Sequence, residues 1–387
     1  MAAGPRTLHD TLPRMSLGGW LALILSTSID AAVLAAALFL GRRGSVLGRE
    51  RLALGFVASC ISCAAKAVLL VALTGTFFFA INLAYTDLVV LVPLAAVAVL
   101  LASRRIAVAR GVRTFAWCAL FLAPLGYYAT CVERFHLVEE RTTIPISTER
   151  AGRTQLRIAV LADIQGREVE PQMREAVAKA MAFEPHLILI PGDLIQRGAH
   201  EYDAAIPEFR ELLAPLDAPL GVYFVYGNCD NEKHVPKVFE GTHVRLLENE
   251  TVELRFDDRT IQLGGCGFDA NDDDVSRFVH GFEARPGDDL RILVAHYPDQ
   301  ISHLSPDSRV DLLVAGHTHG GQVRIPFFGP PITLSGVPRA VAAGGYHVMN
   351  GRALYVSRGI GCERGLAPRL RLNCPPEVSL LTLETRP

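Results

Sequence analysis

The sequence has no excess of charge of either sign: 38 Lys and Arg stand against 40 Asp and Glu, a net charge of −2. Nucleic-acid binding usually leaves a basic stripe or arm, so that class of partner is not expected. A cysteine framework is missing as well. Of the eight cysteines, Cys60, Cys63, Cys118 and Cys131 lie in or beside apolar segments, where Cys60 and Cys63 read as small-residue packing rather than redox chemistry. Cys229, Cys266, Cys362 and Cys374 are scattered over the second half with no spacing that pairs them. After Glu133 there is no apolar run long enough to cross a bilayer, which takes about 20 residues.

Hydrophobic side chains, by contrast, make up 50% of the chain and crowd into the part before Cys131. Four candidate spans are read there, at about 17–40, 52–73, 83–102 and 114–132, so residues 1–133 are expected to be a transmembrane helical region. The first is too long for a signal-peptide core and is followed by arginines rather than a small-residue cleavage site. Lys66 and Asp87 are charges in apolar surroundings. They read as a snorkelling end group or as a pair tying two helices, since a proton relay would need further acids. Arg42, Arg43, Arg49 and Arg51 follow the first span, and Arg104, Arg105, Arg110 and Arg113 follow the third, while 74–82 has no arginine or lysine. The arginine-rich loops are expected on the cytoplasmic side, which would leave the C-terminal domain extracytoplasmic.

Residues 134–155 are charged and contain proline, and read as a linker before a domain at 156–387. Short apolar strands at 156–162, 186–191 and 221–227 alternate with helical patterns at 171–183 and 202–213, which predicts an α/β domain. The strand candidates end in polar clusters: Asp163-x-Gln165, Gly192-Asp193, Gly227-Asn228-Cys229-Asp230, His296, and Gly316-His317-Thr318-His319. Ligands of such sheets bind outside the carboxyl ends of the strands, so these segments point to one shared site. The oxygen and imidazole donors Asp163, Gln165, Asp193, Asn228, His296, His317 and His319 suit two divalent ions such as Mn, Fe, Zn or Mg. Two metals held close together, with a bridging carboxylate, can activate water and clamp a phosphoryl group.

The ordered set D-x-Q, GD, GNxD, H and GHTH resembles that of the calcineurin-like metallophosphoesterases. GHTHGGQVRIP (316–326), AAGGYHV (342–348), LYVSRGIG (354–361) and CPPEVSLLTL (374–383) resemble in particular the membrane-associated YkuE-like branch and the transmembrane metallophosphoesterases. The resemblance implies a four-layer αββα sandwich and a metal-dependent phosphoesterase acting on phosphomonoester, phosphodiester or pyrophosphate bonds. It implies that Asp163, Gln165, Asp193 and His319 hold one metal. Asp193 would bridge to the second, held also by Asn228, His296 and His317.

Two positions depart from the commoner pattern, which has D-x-H and GNHD. Here Gln165 and Cys229 stand at the two histidine positions, with Cys229 and Asp230 as the catalytic candidates. A Gln oxygen is a weaker ligand than imidazole, and a thiol is a poorer proton donor that carries no positive charge. These departures keep open an alternative, a catalytically weak sensor or scaffold domain on a membrane bundle. Tethering to a bilayer would favour a lipid-linked phosphate substrate.

Three further features call for a reading. Arg358 would reach substrate phosphate as a forked donor, or serve structurally. The acidic run 269–274 reads as a solvated loop, lacking the Gly and Glu of a calcium-binding EF-hand. IPFFGPPI (325–332) would form an apolar lip for acyl chains, although ordinary core packing is the plainer expectation.

Overall fold

The computed structural model describes residues 77–104, 107–197, 199–269, 271–362 and 367–385, with 24–26, 28, 66, 68–73 and 75. The expected spans at 17–40 and 52–73 therefore lie, but for those few residues, outside the described residues. Where spans are predicted at 83–102 and 114–132, two helices run over Phe77–Ala102 and Arg110–Phe135. Each has 26 residues, about 39 Å at 1.5 Å per residue, and so is long and apolar enough to cross the hydrocarbon core. Each contains a π-helical turn, at Asp87–Leu91 and Tyr128–Val132. The first of these lies just before Pro93, whose ring cannot fit a regular α turn. Lys66 and Asp87 form a buried ion pair, as each must if a charge is to sit in such surroundings.

The chain divides into two compact units at Tyr128 and Ala129. The second is built on β1 (Val138–Ile146), β2 (Leu156–Val160), β3 (Leu187–Ile190), β4 (Val222–Phe224), β5 (Val244–Leu246), β6 (Glu250–Phe256), β7 (Arg259–Gly265), β8 (Leu290–Val294), β9 (Leu312–Ala315), β10 (Gly345–Met349), β11 (Arg352–Val356) and β12 (Glu377–Thr385). The described residues form two six-stranded sheets, ordered β1-β12-β2-β3-β4-β5 and β10-β11-β9-β8-β7-β6. β2 to β5 are parallel, as are β7, β8, β9 and β11.

Period-two alternation assigns each side chain to a layer. Leu187 and Leu189 of β3 face the other sheet and pack with Ile261, Leu263, Ile292 and Val294. Ile188 and Ile190 face outward, onto the helices Pro171–Ala182 and Ala199–Leu213. The helix Asp273–Glu283 covers the far side of the second sheet, capped by Asp272, which accepts from the Asp274 and Val275 amides. The acidic run thus starts a helix. The layers follow the expected αββα order.

Two expectations are corrected. Residues 138–146, read as linker, form β1, the edge strand paired in parallel with β12 from Val138–Glu377 to Ile146–Thr385. Its alternation is masked because Glu140 and Thr142, on the less exposed face, are polar as well, and Pro145 is tolerated because the strand lies at an edge. The segment 325–332, for which core packing is the plainer expectation, is not in the core: Ile325, Phe327, Phe328 and Ile332 are exposed.

Leu189 is fully buried between the sheets. Leu189→Ala is expected to cost about 2–5 kcal/mol, as cavity-forming core truncations do. Thermal or urea unfolding of the detergent-solubilised protein measures this. A loss under about 1 kcal/mol would mean that the interlayer core collapses onto the gap.

Candidate metal centre

The parallel strands of both sheets end at one edge, and the chemistry-bearing residues follow them. Asp163 comes after β2, Asp193 after β3, Asn228 after β4, His296 after β8 and His317 after β9. At this edge the chain must leave each strand sharply. Asp163, Gln165, Asp193, His317 and His319 all have left-handed backbones, with φ of 47°, 40°, 56°, 70° and 48°. Non-glycine residues adopt this region at a cost, and do so chiefly at functional sites. Glycine permits the closest approach: a Cβ at Gly227 would lie 2.2 Å from Asp193 Oδ1.

Asp163, Asp193 and His296 are buried and offer ligand atoms within 4.8 Å of one another. Both oxygens of Asp163 accept from the His317 amide, at 2.9 and 3.0 Å. Asp193 Oδ1 accepts from the Cys229 amide at 2.8 Å. His296 Nδ1 lies 2.9 Å from the Pro191 carbonyl, and His317 Nε2 lies 3.1 Å from the Leu334 carbonyl. A carbonyl can only accept, so these contacts assign the ring protons to His296 Nδ1 and His317 Nε2. The opposite nitrogens then carry lone pairs. His296 Nε2 and His317 Nδ1 stand 3.3 Å apart, and both face Asn228 Oδ1, at 2.9 and 3.0 Å. Asp193 Oδ2 is 3.5 Å from His296 Nε2. Three lone-pair donors thus converge beside a carboxylate with no proton among them, an arrangement that fits a divalent cation and repels anything else.

The electrostatics agree. Burial pushes His296 down to about 4, and burial with the neighbouring His296 pushes His317 down to about 3, so both rings are neutral at pH 7, the form that binds metal. Burial and the Asp193 carboxylate hold Asp163 well above the usual carboxylate range.

The other expected residues fall around this cluster. Gln165 is fully buried, and its Nε2 donates to Cys229 Sγ at 3.1 Å. His319 is buried on the His317 loop, at the start of the turn His319–Gly321. Asp230, expected as a catalytic group, is turned away to the backbone. It accepts from the Asp193, Leu194 and Gly227 amides, each at 2.8 Å, and so holds the two loops that carry Asp193 and Asn228. Burial and the Asp193 charge push it up to about 7. Arg358, expected as a substrate donor or a structural residue, ion-pairs through Nε with Glu377 and through Nη2 with Glu140. These contacts fit the structural alternative.

Sequence reasoning misses several contributors. Pro191 and Leu334 act through carbonyls, which carry no side-chain signal. Tyr297 stacks on His317 with ring centroids 3.9 Å apart. It also lines a cleft of about 710 Å³ with Phe268, Asp269, Asn271, Asp299 and His303. The apolar strand before His296 marks the neighbourhood of Tyr297, but nothing in the pattern marks its role.

Two packed sheets in an α/β domain, with oxygen and imidazole donors gathered at their shared edge, define a divalent-metal hydrolase. The chain belongs to the calcineurin-like phosphoesterase family, which its residues 156–321 match. It is similar to the uncharacterised metallophosphoesterase YkuE of Bacillus subtilis, at 33% identity over 52% of this chain and 69% of that one. It is similar to the phosphodiesterase YaeI of Escherichia coli, at 29% identity over 59% and 82%. It is also similar to the UDP-2,3-diacylglucosamine pyrophosphatase LpxG of Chlamydia trachomatis, at 26% identity over 58% and 83%. The chain is therefore a hydrolase, of a family that uses two divalent metal ions.

In the metal-free protein, ionised Asp163 is penalised by burial and by Asp193. Asp163→Asn removes that charge at constant shape, so in chelator the variant is expected to unfold at a higher temperature than the parent. Added Mn²⁺ should then raise the parent's Tm by more than the variant's. A metal-free variant less stable than the metal-free parent would show that the Asp163 carboxylate is balanced without metal.

Proposed function

We propose that the chain is a membrane-anchored phosphoesterase whose two divalent ions are held by Asp163, Gln165, Asp193 and His319 on one side and by Asp193, Asn228, His296 and His317 on the other. The observation that carries this reading is the convergence of His296 Nε2, His317 Nδ1 and Asn228 Oδ1 beside Asp193. When bound, such a pair of ions lowers the pKa of water and neutralises charge on the phosphoryl oxygens.

The protein's own groups then have distinct tasks. Pro191 and Leu334 hold the two imidazoles in the tautomers that present lone pairs. Asp230 fixes the Asp193 and Asn228 loops through three backbone bonds. Cys229 contacts Gln165 and Asn228, at the position where the commoner pattern has a histidine. Its thiol leaves the phosphoryl group to be bound by the metals rather than by a cationic side chain. The cleft beside Tyr297 takes the group beyond the phosphate.

Membrane anchoring is supported by two helices long and apolar enough to span, one of which ends at Phe135 shortly before β1 begins at Val138. The arginine-rich loops favour an extracytoplasmic domain. Short tethering to a bilayer favours a lipid-linked phosphate or pyrophosphate, and the LpxG relative, named a UDP-2,3-diacylglucosamine pyrophosphatase, is consistent with that class.

The test is hydrolysis of bis-p-nitrophenyl phosphate by the full-length protein in detergent with Mn²⁺. Turnover is expected, with a loss of at least about 100-fold in Asp193→Asn, whose bridging charge is gone. Absence of turnover in a folded protein that retains fewer than two metals per chain would favour a sensor or scaffold instead.

A further inference from the structure

The segment that follows the GHTH loop presents its apolar side chains to water. Ile325, Phe327, Phe328, Ile332 and Leu334 are 47%, 112%, 56%, 39% and 52% exposed. Isolated apolar residues on a surface are ordinary, but five in one short segment form a patch of the kind that marks an interaction site.

The segment is held in this state. The Ile325 amide donates to the Gly329 carbonyl at 3.0 Å and the Gly329 amide donates to the Ile325 carbonyl at 2.8 Å, closing a tight turn with the phenylalanines at its tip. Phe327 has φ 66°, a left-handed conformation that a bulky residue adopts only when its surroundings impose it. The base is tied down where the Arg324 amide donates to the Leu372 carbonyl at 2.8 Å and Asn373 Nδ2 donates to the Arg324 carbonyl at 3.1 Å. A free loop of this composition would fold its rings inward. This one is braced outward.

The charges nearby say what covers it. Between Gly320 and Ala343 the charged residues are Arg324 and Arg339, with no carboxylate. The Arg339 guanidinium lies over the Phe328 ring, 4.5 Å from its centroid. An apolar tip flanked by cations matches a bilayer interface, where acyl chains lie beneath anionic headgroups. A bilayer crossed by Arg110–Phe135 is also tethered close to the domain, since β1 begins at Val138.

We infer that residues 325–334 are a membrane-contact surface whose phenylalanine tip inserts at the headgroup–acyl boundary. The inference rests on the membrane-anchored reading above. It adds that the segment touching lipid is the one that orients a metal-centre imidazole, because Leu334 supplies the carbonyl that holds His317 Nε2. A phosphate borne by a lipid would then meet the metal centre without leaving the interface.

Phe327→Trp, made in the full-length protein and reconstituted in phosphatidylcholine–phosphatidylglycerol vesicles, tests this. The native tryptophans are Trp20 and Trp117, and Trp117 is exposed on the helix Arg110–Phe135. The signal of the added tryptophan is its difference from the parent. That signal is expected to be lost when the acyl chains are brominated near the headgroup, and to be unaffected by aqueous iodide. Quenching by iodide with none by bromolipid would overturn the inference, placing the tip in water. Quenching by neither would also overturn it, placing the tip under protein. Native tryptophans quenched by bromolipid while the added one is not would sink the loop inference alone. If the native ones are unquenched too, the anchoring itself fails. Phe328→Trp repeats the measurement where the first variant misfolds.

Discussion

Everything at the active edge answers to one constraint: the carboxylates of Asp163 and Asp193 are buried beside two imidazoles, and the charge of Asp193 adds to the burial that disfavours an ionised Asp163. Two unit charges about 4 Å apart repel by about 4 kcal/mol even at an effective dielectric of 20. The imidazoles do not offset this, because burial keeps them neutral. Divalent cations resolve the conflict, and the surrounding structure is arranged around their place. Five residues at the strand ends take left-handed backbones to bring their side chains inward. At roughly 1–3 kcal/mol each, that strain rivals the net stability of a whole domain. It persists because the strands behind it are locked in an interlayer core in which β3 is buried at every position.

The two departures from the commoner histidine pattern are easier to understand together than apart. Gln165 and Cys229 come from different strand ends, yet the amide of one donates to the sulfur of the other. The donation spends the NH₂ of Gln165 on the thiol and turns its oxygen, the only atom of that amide able to bind metal, the other way. Both residues are neutral where imidazole could carry charge, so this pair is less basic than two histidines would be.

Much of this was legible in the residues. Buried parallel strands announce themselves as apolar runs, and β2, β3 and β4 fall where the runs at 156–162, 186–191 and 221–227 predict them. The polar clusters that end those runs supply Asp163, Asp193 and Asn228, while His296 and His317 follow β8 and β9. The misses share a cause, since pattern reading sees side chains one segment at a time. β1 was hidden because an edge strand with one wet face can be charged at alternate positions and still pair. Arg358 looked available until Glu377 and Glu140, one on β12 and one on β1, came to lie beside it. The exposed tip at Phe327 has the composition of a core segment, and only the turn that braces it outward distinguishes the two.

Asp230 shows how a motif residue can act on the backbone around it. Its carboxylate gathers three amides from the Asp193 and Asn228 loops, which end strands of the first sheet. Arg371, fully buried, does the opposite on the other side. Its guanidinium donates to the carbonyls of His319, Arg358, Gly359, Gly361 and Cys374, joining the loops after β9 and β11 to the C-terminal approach to β12. One half-buried carboxyl group satisfied by amides and one buried cation satisfied by carbonyls brace the two sides of the site. Their fields oppose each other at Asp163, which Arg371 pulls toward ionisation and Asp230 pushes away from it. Neither needs a charged partner, because the backbone groups freed by the sharp strand exits serve instead. The irregular backbone that presents the ligands thus also supplies the bonds that keep it in place.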